Sequence, residues 1–143
     1  MSGFLLDTNI PSEFRNPQPE PRVVQWVDSV AEDSVFISVV TLGEIRKGCE
    51  LLDPGKRRKE LERWLEVEVR EWFAGRILPV TDAIAERWGR LEATRQRLGL
   101  PLNTADGQIA ATALEHGLTV VTRNVNDFRD LGVVVFNPWT DAF

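Results

Sequence analysis

Five short apolar runs with little polar alternation, each set off from the next by stretches of helical period, constrain this chain more than any other feature. The runs are Gly3 to Leu6, Val35 to Val39, Ile77 to Val80, Thr119 to Thr122 and Val133 to Phe136. A strand with one wet face alternates polar and apolar residues; these do not, so they require cover on both faces. Between them, Val23, Val27 and Val30 mark a helix from Arg22 to Ala31, and Thr41 opens another to Leu52. Leu61, Leu65, Val69, Trp72 and Phe73 stripe a long helix from Lys56 to Phe73 that Gly75 stops. Ile84, Trp88, Leu91 and Leu98 stripe a helix over 82–98, and a last helix spans Ala105 to His116, capped by Thr104 and ended by Gly117. The expectation is an α/β fold: a parallel β-sheet of about five short strands flanked by helices. The strand order stays open. With 143 residues, no repeat and no glycine-serine linker, one domain over 1–143 is expected. The proline-dense segment from Asn16 to Pro21 reads as a loop before a helix.

In such a sheet, ligands bind beyond the carboxyl ends of the strands. Asp7 directly follows Phe4-Leu5-Leu6, with Thr8 and Asn9 behind it. Glu44 stands six residues past Ser38, Asp106 two past Thr104, and Asn124 and Asp127 follow the Val120-Val121 run. Each has a purely structural reading. Glu44 completes a capping box with Thr41, Asp106 favours the positive end of a helix, and Asp127 forms an Asx-turn before Phe128. Asp7 resists that treatment, because a carboxylate flush against a buried strand is desolvated and needs a partner.

Converging acids repel. Two carboxylates ~4 Å apart cost about 4 kcal/mol at an effective dielectric near 20. A shared proton or a divalent cation resolves the conflict, and hard carboxylate oxygens suit Mg²⁺ or Mn²⁺. Zinc is disfavoured, since Cys49 is the single cysteine and His116 the single histidine. His116 sits where a helix C-terminus favours it, and Cys49 lies in an apolar stretch and reads as packing. One cysteine permits no internal disulfide, which fits a cytoplasmic location. No apolar run nears the ~20 residues of a membrane helix, and the opening Met1-Ser2-Gly3-Phe4-Leu5-Leu6 has no basic region before Asp7, so neither a membrane role nor a leader is expected. With 17 basic and 22 acidic residues, the net charge of −5 excludes gripping nucleic acid by bulk charge.

With these residues in view, the chain resembles the PIN-domain ribonucleases, and over nearly its whole length the VapC toxins of type II toxin–antitoxin systems. The resemblance rests on Leu5-Leu6-Asp7-Thr8-Asn9, on Val40 to Gly48, and above all on Asn103 to Ala113 continued by Gly117 to Asn124. Phe73-Ala74-Gly75-Arg76-Ile77-Leu78-Pro79 and Val135-Phe136-Asn137-Pro138-Trp139 look like the FitB-like subgroup. The resemblance implies a Mg²⁺- or Mn²⁺-dependent endoribonuclease that cuts RNA, forms a homodimer, and is silenced by a small cognate antitoxin with a DNA-binding end, in a higher assembly. It carries the metal ligands onto Asp7, Glu44 and Asp106. The fourth position falls on Asn124 as a catalytic residue or on Asp127 as a fourth acid, with Asn124 expected to matter more. Thr8, Asn9 and Thr104 would support the ligands, and Arg46, Lys47 and Arg123 would hold flanking phosphates.

Several of these residues have competing readings. Arg46, Lys47 and Arg123 also read as solvated charge, as does the basic run Lys56-Arg57-Arg58-Lys59. Arg87, Arg90 and Arg97 share a helix face diluted by Glu86. Trp64 and Val67 widen an apolar stripe that is either core or a subunit interface. A haloacid-dehalogenase-like phosphatase would want a second acid where Asn9 stands, and a receiver-type phosphoacceptor wants paired acids and a lysine this chain lacks. A catalytically inactive PIN-like binding module is the remaining alternative.

Overall fold

The computed structural model describes residues 3–143; Met1 and Ser2, part of the opening on which the reading against a leader rests, lie outside the described residues. At its centre is a five-stranded sheet, parallel throughout, in the order β3-β2-β1-β4-β5. The strands are β1 Gly3–Leu6, β2 Val35–Ser38, β3 Ile77–Leu78, β4 Leu118–Val121 and β5 Val135–Phe136. Phe4 stands opposite Val35 on one side and Thr119 on the other. The chain steps outward from β1 to β3, then crosses back to β4. That reversal opens a crevice at the carboxyl ends of β1 and β4.

Side chains alternate across the strands, so adjacent residues feed opposite cores. Leu6, Ile37 and Val121 pack with Ile10, Trp26, Ile45 and Phe73 on one face. Leu5 and Val120 pack with Ile109, Ala110 and Phe128 on the other. Leu5 and Leu6 are 0% and 1% exposed, and each such side chain contributes about 1.5–3 kcal/mol by burial. The apolar runs lack polar alternation because neither face meets water.

The helices are α1 Asn9–Glu13, α2 Pro21–Ser29, α3 Val39–Leu51, α4 Lys56–Arg63, α5 Arg70–Trp72, α6 Asp82–Arg97 and α7 Thr104–His116. Single 3-10 turns occupy Glu32–Ser34 and Val125–Phe128. Three features were not read from the sequence. The first concerns α1, which is five residues long, too short for a helical period to show, yet it buries Ile10 and Pro11. Second, β2 runs into α3 without a loop. Ser38 ends the strand and caps the helix, its hydroxyl accepting from the Val40 amide at 3.0 Å. Val39 is therefore helical, Thr41 is no cap, the Thr41–Glu44 capping box does not form, and Glu44 falls in the second turn. Third, the long helix passes through a π-helical segment, Trp64–Val69, between α4 and α5. Trp64 there is core, 9% exposed, with the Arg15 guanidinium over its ring. Val67 is half-buried.

The Phe73 to Pro79 block is a structural clamp. Arg76 donates to the carbonyls of Val35 and Trp72, tying the end of α5 to the start of β2. Cys49 is buried in the core as expected. Among the described residues no helix is long and apolar enough to cross a membrane.

Candidate active site

Asp7 leaves the end of β1 with its amide on the Val121 carbonyl at 2.9 Å, so β4 fixes where its side chain starts. The residue is 6% exposed. Oδ1 accepts from the Thr8 amide at 2.8 Å, and Oδ2 accepts from the Thr122 hydroxyl at 2.7 Å and from Asn9 Nδ2 at 3.4 Å. Asn9 also reaches Thr122 Oγ1 at 3.1 Å, and its own Oδ1 accepts from the Arg123 amide at 3.2 Å. Thr122 Oγ1 takes the Asn124 amide at 3.0 Å. The ends of β1 and β4 are thereby stitched together through Asp7, Asn9 and Thr122.

Glu44 arrives from α3. The Thr8 hydroxyl donates to its Oε1 at 2.5 Å and lies 3.2 Å from the buried Thr41 hydroxyl. Asp106 arrives from the first turn of α7. The cap of that helix is Asn103, not Thr104: Asn103 Oδ1 accepts from the amides of Ala105 at 2.9 Å and Asp106 at 3.4 Å. Asp127 comes from the 3-10 turn after β4, where its amide donates to the Asn124 carbonyl at 3.1 Å. These four acids open on one cleft of about 450 Å³, completed by Thr8, Asn9, Ser12, Asn103 and Asn124.

Crowding shows in the acidities. Burial pushes Asp106 up to about 7, with Asp7, Asp127 and Glu44 adding repulsion. Burial also raises Asp7, against the hydrogen bonds from Thr122 and Thr8. Glu44 is raised by burial as well, against the Thr8 hydrogen bond. The charge of Asp127 reaches both Asp7 and Asp106, so Asp127 faces the other acids while its amide serves the turn. Asn124 lines the same cleft, so both residues stand at the fourth position.

The donor set is carboxylates, hydroxyls and amides. Such hard oxygens suit a cation of the Mg²⁺ or Mn²⁺ kind, which keeps several of its waters. Among the described residues, no three carboxylate, histidine or cysteine groups stand close enough together to hold a metal ion by themselves. The acids ring an open cleft that leaves space for water and substrate oxygens. A divalent cation fits the charge this site leaves unanswered.

The remaining sequence candidates divide. Thr104 and Lys47 border an adjoining groove with Glu44 and Asn103. Arg123 lies over the Trp139 ring at 5.3 Å, beside the site. Arg46 is committed elsewhere, paired with Glu66 at 2.8 Å and Glu62 at 3.6 Å. On α6, Arg87 pairs with Glu115 at 3.2 Å and Arg90 with Glu86 at 3.6 Å. Sequence reasoning missed Thr122, Asn103 and Ser12. Thr122 had a signal, since it follows β4 as Asp7 follows β1. Asn103 with Asp106 three residues later is an N-cap pattern.

The chain as a whole is similar to known proteins. A family model described as PIN domain matches residues 4–134. The chain belongs to the PIN-domain family. Toxin FitB of Neisseria gonorrhoeae (strain ATCC 700825 / FA 1090) is 44% identical over 138 residues, 96% of this chain and 99% of that protein. VapC ribonuclease Y4jK of Sinorhizobium fredii (strain NBRC 101917 / NGR234) is 36% identical over 139 residues, 97% of this chain and 99% of that protein. The solved structure of FitAB bound to IR36 DNA fragment matches this PIN domain with a TM-score of 0.87 at 41% identity, over 98% of each chain. A toxin-antitoxin complex from Klebsiella pneumoniae matches it at 0.69 and 26%, over 97% of this chain and 100% of that one.

Proposed function

We propose that this PIN domain is a Mg²⁺- or Mn²⁺-dependent endoribonuclease, the toxin of a toxin–antitoxin pair, working at the cleft of Asp7, Glu44, Asp106 and Asp127. The observation that carries the reading is this single cleft of mutually repelling acids at the β1/β4 crevice. Such a cleft repels the phosphates of RNA unless positive charge is added. Relatives named as a toxin and a ribonuclease over nearly their whole lengths support the substrate class.

Asp7, Glu44 and Asp106 would hold the cation, with Asp127 as the nearest further acid. A bound divalent ion lowers the pKa of a water and offsets charge on the phosphodiester. The chain's own residues do the positioning. Thr122 and the Thr8 amide fix both oxygens of Asp7, and the Thr8 hydroxyl aims Glu44. The Asn103 cap aims the first turn of α7, and with it Asp106. Asn124 presents its amide side chain at the cleft, and Lys47 and Arg123 flank it as phosphate contacts.

The phosphatase alternative needs a proton-carrying acid two residues past Asp7. Asn9 occupies that place and spends its amide on Asp7 and Thr122, which removes the reason for it. The partner is a small antitoxin with a DNA-binding end, in keeping with relatives solved in complex and on DNA, and the toxin itself is a homodimer. The test is cleavage of total RNA by antitoxin-free protein with Mg²⁺ or Mn²⁺, against a chelator control. Cleavage that survives chelation, or none with metal present, overturns the reading.

A further inference from the structure

One charged residue outside the lining of the cleft is buried and without a carboxylate partner. Arg95, near the end of α6, is 8% exposed, and among the described residues it makes no ion pair with a carboxylate. Its guanidinium donates only to neutral carbonyls: Nε to Leu100 at 3.2 Å, Nη2 to Pro101 at 3.2 Å and Nη1 to Arg129 at 2.7 Å. Its own carbonyl accepts from the Leu100 amide at 2.9 Å. A buried charge answered by carbonyls alone is costly, and an apolar side chain would fill the space more cheaply.

The three carbonyls lie on two segments that each lead to an acid of the cleft. Pro101 precedes the Asn103 cap by two residues, and that cap sets the first turn of α7 and Asp106. Arg129 directly follows the Val125–Phe128 turn that carries Asp127. Its neighbour Asp130 holds φ 63°, a left-handed conformation uncommon outside glycine, so the segment has a defined path.

Resting on the metal-site reading above, we propose that Arg95 is a positioning residue: one guanidinium that straps the loop before α7 to the loop after the Asp127 turn, and so sets the spacing of Asp106 and Asp127 for a divalent cation. The fork of Arg is suited to this, because five donors in one plane reach several acceptors at once. Lysine keeps the charge and loses the fork.

The experiment is calorimetric titration of Mn²⁺ into the full chain free of antitoxin, for wild type, Arg95→Lys, Pro101→Gly and Val69→Ala. Val69 is fully buried in the opposite core, and Val69→Ala supplies a loss of melting temperature without touching the strap. Arg95→Lys should weaken Mn²⁺ roughly tenfold, the scale of losses at residues that orient metal ligands. Pro101→Gly keeps the guanidinium but loosens the loop, and should weaken binding in the same direction if Arg95→Lys fails to fold. Val69→Ala should leave the affinity unchanged. Asp127→Asn should weaken wild type but add little to Arg95→Lys, since the strap acts through that acid. Arg95→Lys and Pro101→Gly that bind within twofold of wild type, or a matching loss in Val69→Ala, overturn the inference while leaving the metal site standing. A wild type that binds no Mn²⁺ overturns the metal site and this inference with it.

Discussion

Asp106 combines two roles in one carboxyl, helix residue and member of a crowded acid set, and its acidity reports the conflict. Its pKa of about 7 lies above the ordinary 3.8, so the fold favours the protonated form. That contribution to stability is fully present below the unfolded value and is lost as pH rises through about 7. Asp7 and Glu44, raised in the same direction, add to the trend. The metal-free protein should therefore melt at a lower temperature at pH 8 than at pH 5, and Asp106→Asn should flatten that difference, both measured by calorimetry. Equal slopes in the two proteins would show that Asp106 carries no strain. Asp7→Asn, Glu44→Gln and Asp106→Asn should each remove most RNA cleavage while far-UV circular dichroism stays unchanged; a variant cleaving near the wild-type rate is not a ligand. For the fourth position, Asp127→Asn should slow initial cleavage more than Asn124→Ala, because the charge of Asp127 reaches Asp7 and Asp106. Sequence spacing favours Asn124 for its nearness to β4; a 3-10 turn that brings Asp127 to the same cleft leaves no periodic signal.

Helices and strands were legible where burial imposes a pattern. The five runs became five parallel strands because both faces of the sheet are covered. Their edges were less legible: β2 passes into α3 with Ser38 serving both, and Thr41, three residues further on, looks equally good as a cap. Asn103 and Thr104 posed the same choice before α7. The π-helical segment Trp64–Val69 falls in a continuous apolar stripe, and a stripe does not distinguish i+4 from i+5 bonding. Close packing of α6 on α7 was invisible for a different reason: it depends on an atom that is missing. A Cβ on Gly107 would lie 2.7 Å from Trp88 Cδ1, 2.9 Å from Nε1 and 3.0 Å from Leu102 Cδ2. Helix propensity favours Gly107→Ala by about 1 kcal/mol, while overpacking against a rigid indole costs about 1–3 kcal/mol. Gly107→Ala should thus lower the melting temperature, and it should weaken Mn²⁺ binding as well, because Asp106 is the adjacent residue on the displaced turn. A more stable Gly107→Ala would mean that α7 shifts without resistance. The Trp88 indole N–H is buried without a partner, so Trp88→Phe should cost little, an unmet donor being removed along with the ring.

At the scale of the whole molecule, a net charge of −5 surrounds a cleft that is itself acidic. Both the substrate and an inhibitor must deal with the same field, and they do so in opposite ways. RNA brings more negative charge and, on the proposed function, meets a divalent cation in the cleft. An antitoxin is free to bring a cation of its own: an arginine or lysine placed among Asp7, Glu44 and Asp106 answers the repulsion without metal, and so excludes it. The tail that carries it loses conformational entropy on docking and must bury apolar surface as well. On α3, Ile45 is 5% exposed and belongs to the core, Leu51 is 76% exposed, and Leu52 at the helix end is half-buried. Leu51 is therefore the apolar side chain on that helix most available to a partner. Competition follows from the shared charge. Antitoxin affinity, measured by titration calorimetry, should fall as Mn²⁺ is raised, and should fall in Asp7→Asn and Asp106→Asn, because neutralising an acid removes part of what the cationic side chain binds. Leu51→Ala should weaken the complex without any Mn²⁺ dependence of its own. An affinity indifferent to Mn²⁺ and to both acids would place inhibition away from the cleft, with the antitoxin acting by covering the path of the RNA.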